Sequence, residues 1–133
     1  MFQVESRIGK IAAGQEDIYE IISDFTNIPK FIPPEKLEGI KTEKEMLTFN
    51  LPETGEMTLS IDKREPSSLV KYKGNFRDQL FYLYIQLKSP SQGDTRFKLT
   101  LRAEIPSVIG WSIKGKMQTM LDDLVGRIEK ICL

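Results

Sequence analysis

The hydrophobic period of the chain changes at Pro106-Ser107, and this change limits the folds open to it. From Asp94 to Ile105 apolar and polar residues alternate (DTRFKLTLRAEI), the period of a strand with one buried face. After that point the apolar residues recur at helical spacing to the chain end. They form a stripe of Ile113, Met117, Met120/Leu121, Leu124, Ile128 and Ile131. At about 1.5 Å per residue this helix spans roughly 35 Å, enough to cross a sheet.

The segment before residue 35 predicts one strand and two short helices. Residues 2–12 alternate as a strand, and the i,i+4 pairs Ile18/Ile22 and Ile21/Phe25 predict a helix over residues 15–24. Asn27 is the expected cap of a second short helix, which runs through Phe31 and is ended by Pro33-Pro34. The apolar residues Phe31 and Ile32 are expected to form a lid over one end of the sheet.

Strands dominate from residue 35 to residue 105. A weak strand in KLEGIKTE precedes five clearer ones in MLTFNL, GEMTLSIDKRE, SSLVKYKG, QLFYLYIQLK and DTRFKLTLRAEI. QLFYLYIQLK is apolar on both faces, which predicts a central strand or a covered outer side. The order strand, two helices, about six strands and one long helix predicts an α+β fold. Its sheet needs a cover on the apolar face, and the last helix is the one element long enough to supply it.

Composition excludes several functions. The chain of 133 residues fits one domain, and its 19 basic and 19 acidic residues give a net charge of zero, which argues against nucleic acid. No histidine is present, so Ser-His and Cys-His nucleophile pairs and the usual zinc sites are excluded. Lone Cys132 has no partner for an intramolecular disulfide, and no apolar run reaches the about 18 residues of a membrane helix. The N-terminus lacks a signal-peptide core, so we expect a cytoplasmic protein without integral membrane association.

The element order and several segments resemble the SRPBCC superfamily, the START-like and birch-pollen-allergen-like proteins. The matching segments are Ile8-Gly9-Lys10-Ile11, the helix Ile18-Tyr19-Glu20-Ile21-Ile22, its exit Ser23-Asp24-Phe25, and DTRFKLTLRAEI followed by the terminal helix. The resemblance covers the whole chain, residues 1–133, as one START-like domain, and is closest to small polyketide-cyclase-like members. It implies a helix-grip fold, in which a curved seven-stranded antiparallel sheet wraps around the C-terminal helix. Two short helices then lie between the first and second strands.

The resemblance also implies a cavity between the sheet and the last helix. Superfamily members bind sterols, lipids, quinones, polyketides or plant hormones, a minority catalyse cyclisation or dehydration, and others activate chaperones. The inward faces predict a cavity lined by Phe31, Phe49, Leu59, Tyr72, Phe81, Leu83, Phe97, Leu101, Trp111 and Met117. Tyr72 is the best polar candidate, and Trp111 is expected at the cavity mouth beside Gly110 and Gly115. For each single residue, ordinary core packing is the alternative.

We therefore predict binding or carriage of a small hydrophobic molecule, such as a lipid, sterol, quinone or polyketide. No catalytic residue, metal site or cofactor is predicted, since no catalytic motif of the enzymatic branches is present. A polyketide cyclase or dehydratase using Tyr72 is one alternative. A protein-interaction module is another, working through the outer sheet face of Lys71, Lys73, Tyr82, Tyr84, Arg96, Lys98 and Arg102. On that face, cross-strand pairing of tyrosines and cations is the competing structural interpretation.

Overall fold

Eight antiparallel strands form one sheet in the computed structural model, which describes residues 2–30, 38–51, 55–76 and 79–130. The strands are β1 (Phe2–Glu5), β2 (Gly9–Ile11), β3 (Glu38–Thr42), β4 (Met46–Leu51), β5 (Gly55–Glu65), β6 (Leu69–Phe76), β7 (Gln79–Ser91) and β8 (Asp94–Ala103). Their order across the sheet is β1-β8-β7-β6-β5-β4-β3, and β2 also pairs with β8. The strand with two apolar faces, β7, is central, as its sequence predicts.

The expected first strand is divided into β1 and β2, which gives eight strands in seven positions across the sheet. The division is a one-residue bulge, since Glu5 pairs with Thr100 whereas Gly9 pairs with Phe97. Ser6 makes the bulge possible. Its backbone N–H donates to the Leu99 carbonyl (2.8 Å), and its hydroxyl accepts from the Leu99 N–H (2.9 Å), which replaces a ladder bond.

Two short helical segments follow β2, as predicted. Helix α1 (Gln15–Ile22) lies against β6 and β7 and buries Ile18, Ile21 and Ile22. A 3₁₀ turn (Phe25–Lys30) comes next, and its cap is Asp24 rather than the predicted Asn27. The Asp24 carboxylate accepts from the backbone N–H of Thr26 (2.9 Å) and from its hydroxyl (2.6 Å). Asn27 instead donates to the Ile21 carbonyl (3.2 Å) at the end of α1.

Helix α2 (Ser107–Glu129) crosses one side of the sheet and packs chiefly on β1, β2 and β8. Its buried residues are Gly110, Leu121, Val125 and Ile128. Met120 is exposed, so its place in the predicted stripe is wrong, whereas Leu124 is half-buried and packs against the core. A helix that contacts the sheet along one side buries only a narrow line of side chains, so the residue next in sequence to a buried one lies on the flank of the helix. Ile131 and Cys132 lie outside the described residues.

Candidate functional site

The inner face of the sheet is covered unevenly. Where α1 lies over it, Val70, Ile85 and Leu87 are fully buried. Towards the end where α2 begins, five apolar side chains of β5 and β7 are only half-buried although they pack against the core. We call these five the inner patch: Met57, Leu59, Ile61, Phe81 and Leu83. A partly open apolar surface beside a packed core is the kind of wall that a small-molecule site has.

Strand register explains why these side chains lie together. Leu59 pairs with Gly74, and Gly74 with Phe81, so the two large residues flank a position that has no side chain. The Phe81 ring occupies that space: a Cβ built at Gly74 would collide with it. Two residues further along each strand, Ile61, Tyr72 and Leu83 form the next row on the same face.

The predicted cavity residues differ in how deeply the structure buries them. Leu59, Phe81 and Leu83 belong to the inner patch, and Met117 is half-buried against the core from the side of α2. Tyr72, Phe97 and Leu101 are fully buried, so they are core residues beneath or beside the patch. Phe31 lies outside the described residues, as do Ile32 and the lid. Phe49 of β4 pairs with Met57 of β5, but the side chain of Phe49 is outside the described part of the structure.

Trp111 is 85% exposed, and the structure does not bring it to the inner patch. Gly110 faces the sheet, where a Cβ would lie 2.6 Å from the ring of Phe2. Because successive helix residues are rotated by about 100°, the next side chain points away from the sheet. The position of Trp111 at a cavity mouth stays a prediction.

Tyr72, the predicted polar group of the site, makes structural contacts with other parts of the fold. Its hydroxyl donates a short hydrogen bond to the backbone carbonyl of Ile22, the last residue of α1. Its ring packs against Phe25 with the centroids 5.4 Å apart. Burial raises the pKa of the phenol far above its ordinary value. This neutral hydroxyl already has an acceptor, and the hydrogen bond ties α1 to β6.

Three residues beside the site were not among the predicted lining. Met57 and Ile61 share the inner patch with Leu59, and the alternation of GEMTLSIDKRE already places all three on one face. Tyr19 of α1 is half-buried against the core, and its phenol is near enough to contribute to the raised pKa of Tyr72. The sequence predicts burial of Tyr19 together with the other apolar residues of α1, and this pattern does not distinguish it from a core residue.

The outer sheet face is organised as a cross-strand ladder. The Lys71 ammonium lies 4.4 Å from the centre of the Tyr82 ring and pairs with Asp62 at 3.3 Å. The Arg102 guanidinium lies 5.2 Å from the centre of the Tyr84 ring. These contacts join neighbouring strands, as the structural interpretation of this face predicts. Lys98 is paired with Glu5 (3.3 Å) and Arg96 with Asp94 (3.2 Å) on the same sheet.

The carboxylates of α2 hold the bulge between β1 and β2. Glu129 accepts from the Arg7 guanidinium (2.6 Å) and from the backbone N–H of Lys10 (2.9 Å), while Asp122 accepts from the Arg7 N–H (2.7 Å). The hydrogen bond from Arg7 lowers the pKa of Glu129. Asp123 pairs with Arg127 on the helix surface. Each of these acids therefore has a structural partner.

Within the described residues, no group of three or more Cys, Asp or Glu side chains is arranged to hold a metal ion. No helix in that part of the chain is long and apolar enough to cross a membrane.

The sequence matches no family model and no curated protein. Solved structures do match it in fold. Truncated norcoclaurine synthase from Thalictrum flavum superposes with a TM-score of 0.75 at 16% identity, over 96% of this chain and 91% of that one. A START superfamily protein from Mycobacterium smegmatis gives 0.65 at 16% identity, over 98% and 99%. DynU16, a putative protein of the dynemicin biosynthetic locus, gives 0.70 at 14% identity over 98% of this chain, which spans 46% of its length. These matches confirm the predicted helix-grip fold.

Proposed function

We propose that this chain, which has the SRPBCC-type, START-like fold, binds a small hydrophobic molecule on the inner patch. The observation that carries the proposal is the incomplete burial of five apolar side chains on the inner face, at the end that α1 leaves uncovered. A ligand there would remove this surface from water, which contributes roughly 25 cal/mol for each Å² buried.

The inner patch suits an apolar or aromatic ligand. Phe81 offers a ring face over Gly74, and Met117 approaches from α2 as an unbranched, adaptable side chain. The polar residue predicted for this site, Tyr72, has its hydroxyl bound to Ile22, so recognition depends on shape and apolar contact. The structural neighbours support a ligand-binding fold, and the class of ligand is our proposal: a lipid, sterol, quinone or polyketide-like molecule.

A thermal-shift panel of fatty acids, sterols, quinones and aromatic polyketides tests the proposal. A ligand at a hundredfold excess over its dissociation constant stabilises the folded state by about 2.7 kcal/mol. For a chain of 133 residues this corresponds to a rise in Tm of roughly 10 °C.

The substitution Leu83→Trp should abolish the shift, because an indole would fill the inner patch. Tyr84→Trp is the matched control: it adds an indole at the next residue of β7, on the outer face, and should leave the shift intact. If no panel member raises Tm, or if both variants lose the response equally, the inner patch is not the binding site.

A further inference from the structure

The first turn of α2 has an apolar surface that faces solvent. Val108 is 79% exposed, Ile109 51% and Trp111 85%; we call these three residues the helix tip. Gly110, which lies between Ile109 and Trp111, packs on the ring of Phe2 and fixes the turn to β1. The tip therefore projects apolar side chains from a position that the sheet holds firmly.

Exposed apolar residues concentrate at this end of the molecule. Leu80, which is 39% exposed, lies at the same end of the sheet but on its outer face, because the next residue, Phe81, is on the inner face and pairs with Ala103 just before α2 begins. Leu80 and the helix tip make up four of the seven large apolar side chains exposed among the residues that the structure describes. The other three, Ile8, Met46 and Met120, are scattered over the bulge after β1, the start of β4 and the middle of α2.

The first two charged side chains of α2 are positive, while exposed Glu104 lies three residues before the helix begins. Lys114 and Lys116 are both exposed, and the sequence has no acidic residue between Glu104 and Asp122. At about 1.5 Å per residue, Lys116 lies roughly 7.5 Å further along the helix axis than Trp111. If α2 enters a membrane end-on and its apolar tip reaches a depth of about 5–10 Å, as apolar residues of interfacial helices do, the two lysines lie near the level of the phosphates.

We propose that the helix tip is a docking surface for an anionic phospholipid membrane. Val108, Ile109 and Trp111 would enter the boundary between headgroups and acyl chains, while Lys114 and Lys116 meet the lipid phosphates. A second copy of this chain fits the surface less well. Pairing two tips about a twofold axis at Trp111 places Lys114 opposite Val108 and offers no carboxylate to either lysine.

Docking in this way would bring the inner patch to the membrane. Phe81 and Leu83 lie near the start of β7, at the sheet end where α2 begins, whereas α1 covers the other end. If the proposed function holds, a lipophilic ligand could then pass between bilayer and inner patch without crossing water. The docking itself does not depend on that function, and its test uses no soluble ligand.

Sedimentation with vesicles of phosphatidylcholine, with and without phosphatidylglycerol, tests the docking. Trp111 is the one tryptophan of the chain, so its emission reports the tip directly. We expect binding to the phosphatidylglycerol vesicles, a blue shift of the Trp111 emission on binding, and weaker binding at high salt. Val108→Glu should reduce the affinity by more than about tenfold. Replacing both Lys114 and Lys116 by glutamine should reduce it about thirtyfold, at about 1 kcal/mol per lysine.

Met46→Glu is the control, because Met46 is an exposed apolar residue (45%) on β4, which lies four strand positions away from β8 across the sheet. It should leave vesicle binding unchanged. Equal binding to both vesicle types, no binding to either, or an equal loss in Met46→Glu and Val108→Glu would each overturn the proposal. So would a concentration-dependent blue shift without vesicles that Val108→Glu removes, since it identifies a second copy as the occupant. Vesicle binding together with a negative ligand panel would refute the proposed function and leave the docking supported.

Discussion

The substitution Tyr72→Phe removes one hydroxyl from the core and keeps the ring that packs on Phe25. The carbonyl of Ile22, a residue that is 3% exposed, then loses its hydrogen-bond donor. Leaving such a buried acceptor unsatisfied costs about 1–3 kcal/mol in the free energy of unfolding. Since the hydroxyl points to α1 and not to the inner patch, ligand affinity and any turnover should stay unchanged.

The same substitution should also change how the free energy of unfolding depends on pH. In the folded wild type the pKa of Tyr72 is raised far above its ordinary value, whereas in the unfolded chain the phenol titrates near about 10. The unfolded state therefore releases a proton that the folded state keeps, and wild-type stability falls as pH rises through the unfolded pKa. At pH 11 the loss is about 1.4 kcal/mol, a loss that Tyr72→Phe cannot suffer.

Urea denaturation of both proteins at neutral pH and near pH 11 measures both effects. Wild type should be more stable at neutral pH, and the difference should narrow by about 1.4 kcal/mol at the alkaline value. Tyr82→Phe is the control: it removes the hydroxyl of a half-buried tyrosine whose ring lies beneath Lys71 on the outer face, and should change stability by less than about 0.5 kcal/mol. A difference that is independent of pH would show that Tyr72 is not held protonated in the core, and lost ligand affinity would place its hydroxyl in the site.

Three further predictions concern α2 and its contacts with the sheet. Glu129→Gln should lower the free energy of unfolding by less than about 1 kcal/mol at neutral pH, because Glu129 is partly exposed. Since the pKa of Glu129 is lowered in the fold, the wild type should lose this advantage as the pH falls below about 4. Measuring Tm of both proteins over a series of acid pH values tests this. Gly9→Ala should cost about 1–3 kcal/mol, because its Cβ would lie 2.6 Å from Cε1 of Phe97 and 2.7 Å from Cγ1 of Val125. Gly115→Ala, where no described neighbour lies within 4 Å of the new Cβ, should instead stabilise by about 0.5–1 kcal/mol; the two glycine predictions are wrong if both variants shift Tm in the same direction.

The elements of the fold follow from the sequence because each has one dominant period. The strands MLTFNL and GEMTLSIDKRE begin and end in the structure where their alternation does, and α2 begins at Ser107 as the change of period indicates. The bulge at Ser6 escaped prediction, since alternation continues through it and the signal is a side-chain hydrogen bond to Leu99. The cap at Asp24 was missed for a similar reason: Asp24 and Asn27 are both good caps, and tertiary packing chooses between them.

The candidate site was predictable as a face and not as a set of contacts. Alternation placed Leu59, Phe81 and Leu83 on the inner side, but how deeply each is buried depends on where α1 and α2 lie across the sheet. Tyr72 shows the limit most clearly. Alternation correctly places Tyr72 on the inner face of β6. The partner of its hydroxyl, however, is a backbone carbonyl 50 residues earlier in the chain, which no local pattern encodes.

The two ends of the inner face differ in how they are held, and this difference bears on where a ligand would enter. At the α1 end, polar contacts lock the cover in place: Tyr72 binds Ile22, Gln15 binds the carbonyl of Ser67, and Thr95 binds that of Ala13 (2.8 Å). Opening this end would break one buried and two part-buried hydrogen bonds together, each costly when its partner is left unsatisfied. At the α2 end the inner patch is already half-exposed, and moving a ligand past it breaks no hydrogen bond of these cover residues. If a ligand binds the inner patch as we propose, entry beside the helix tip should therefore have the lower barrier, and a lipophilic ligand would meet the exposed apolar surface at that end.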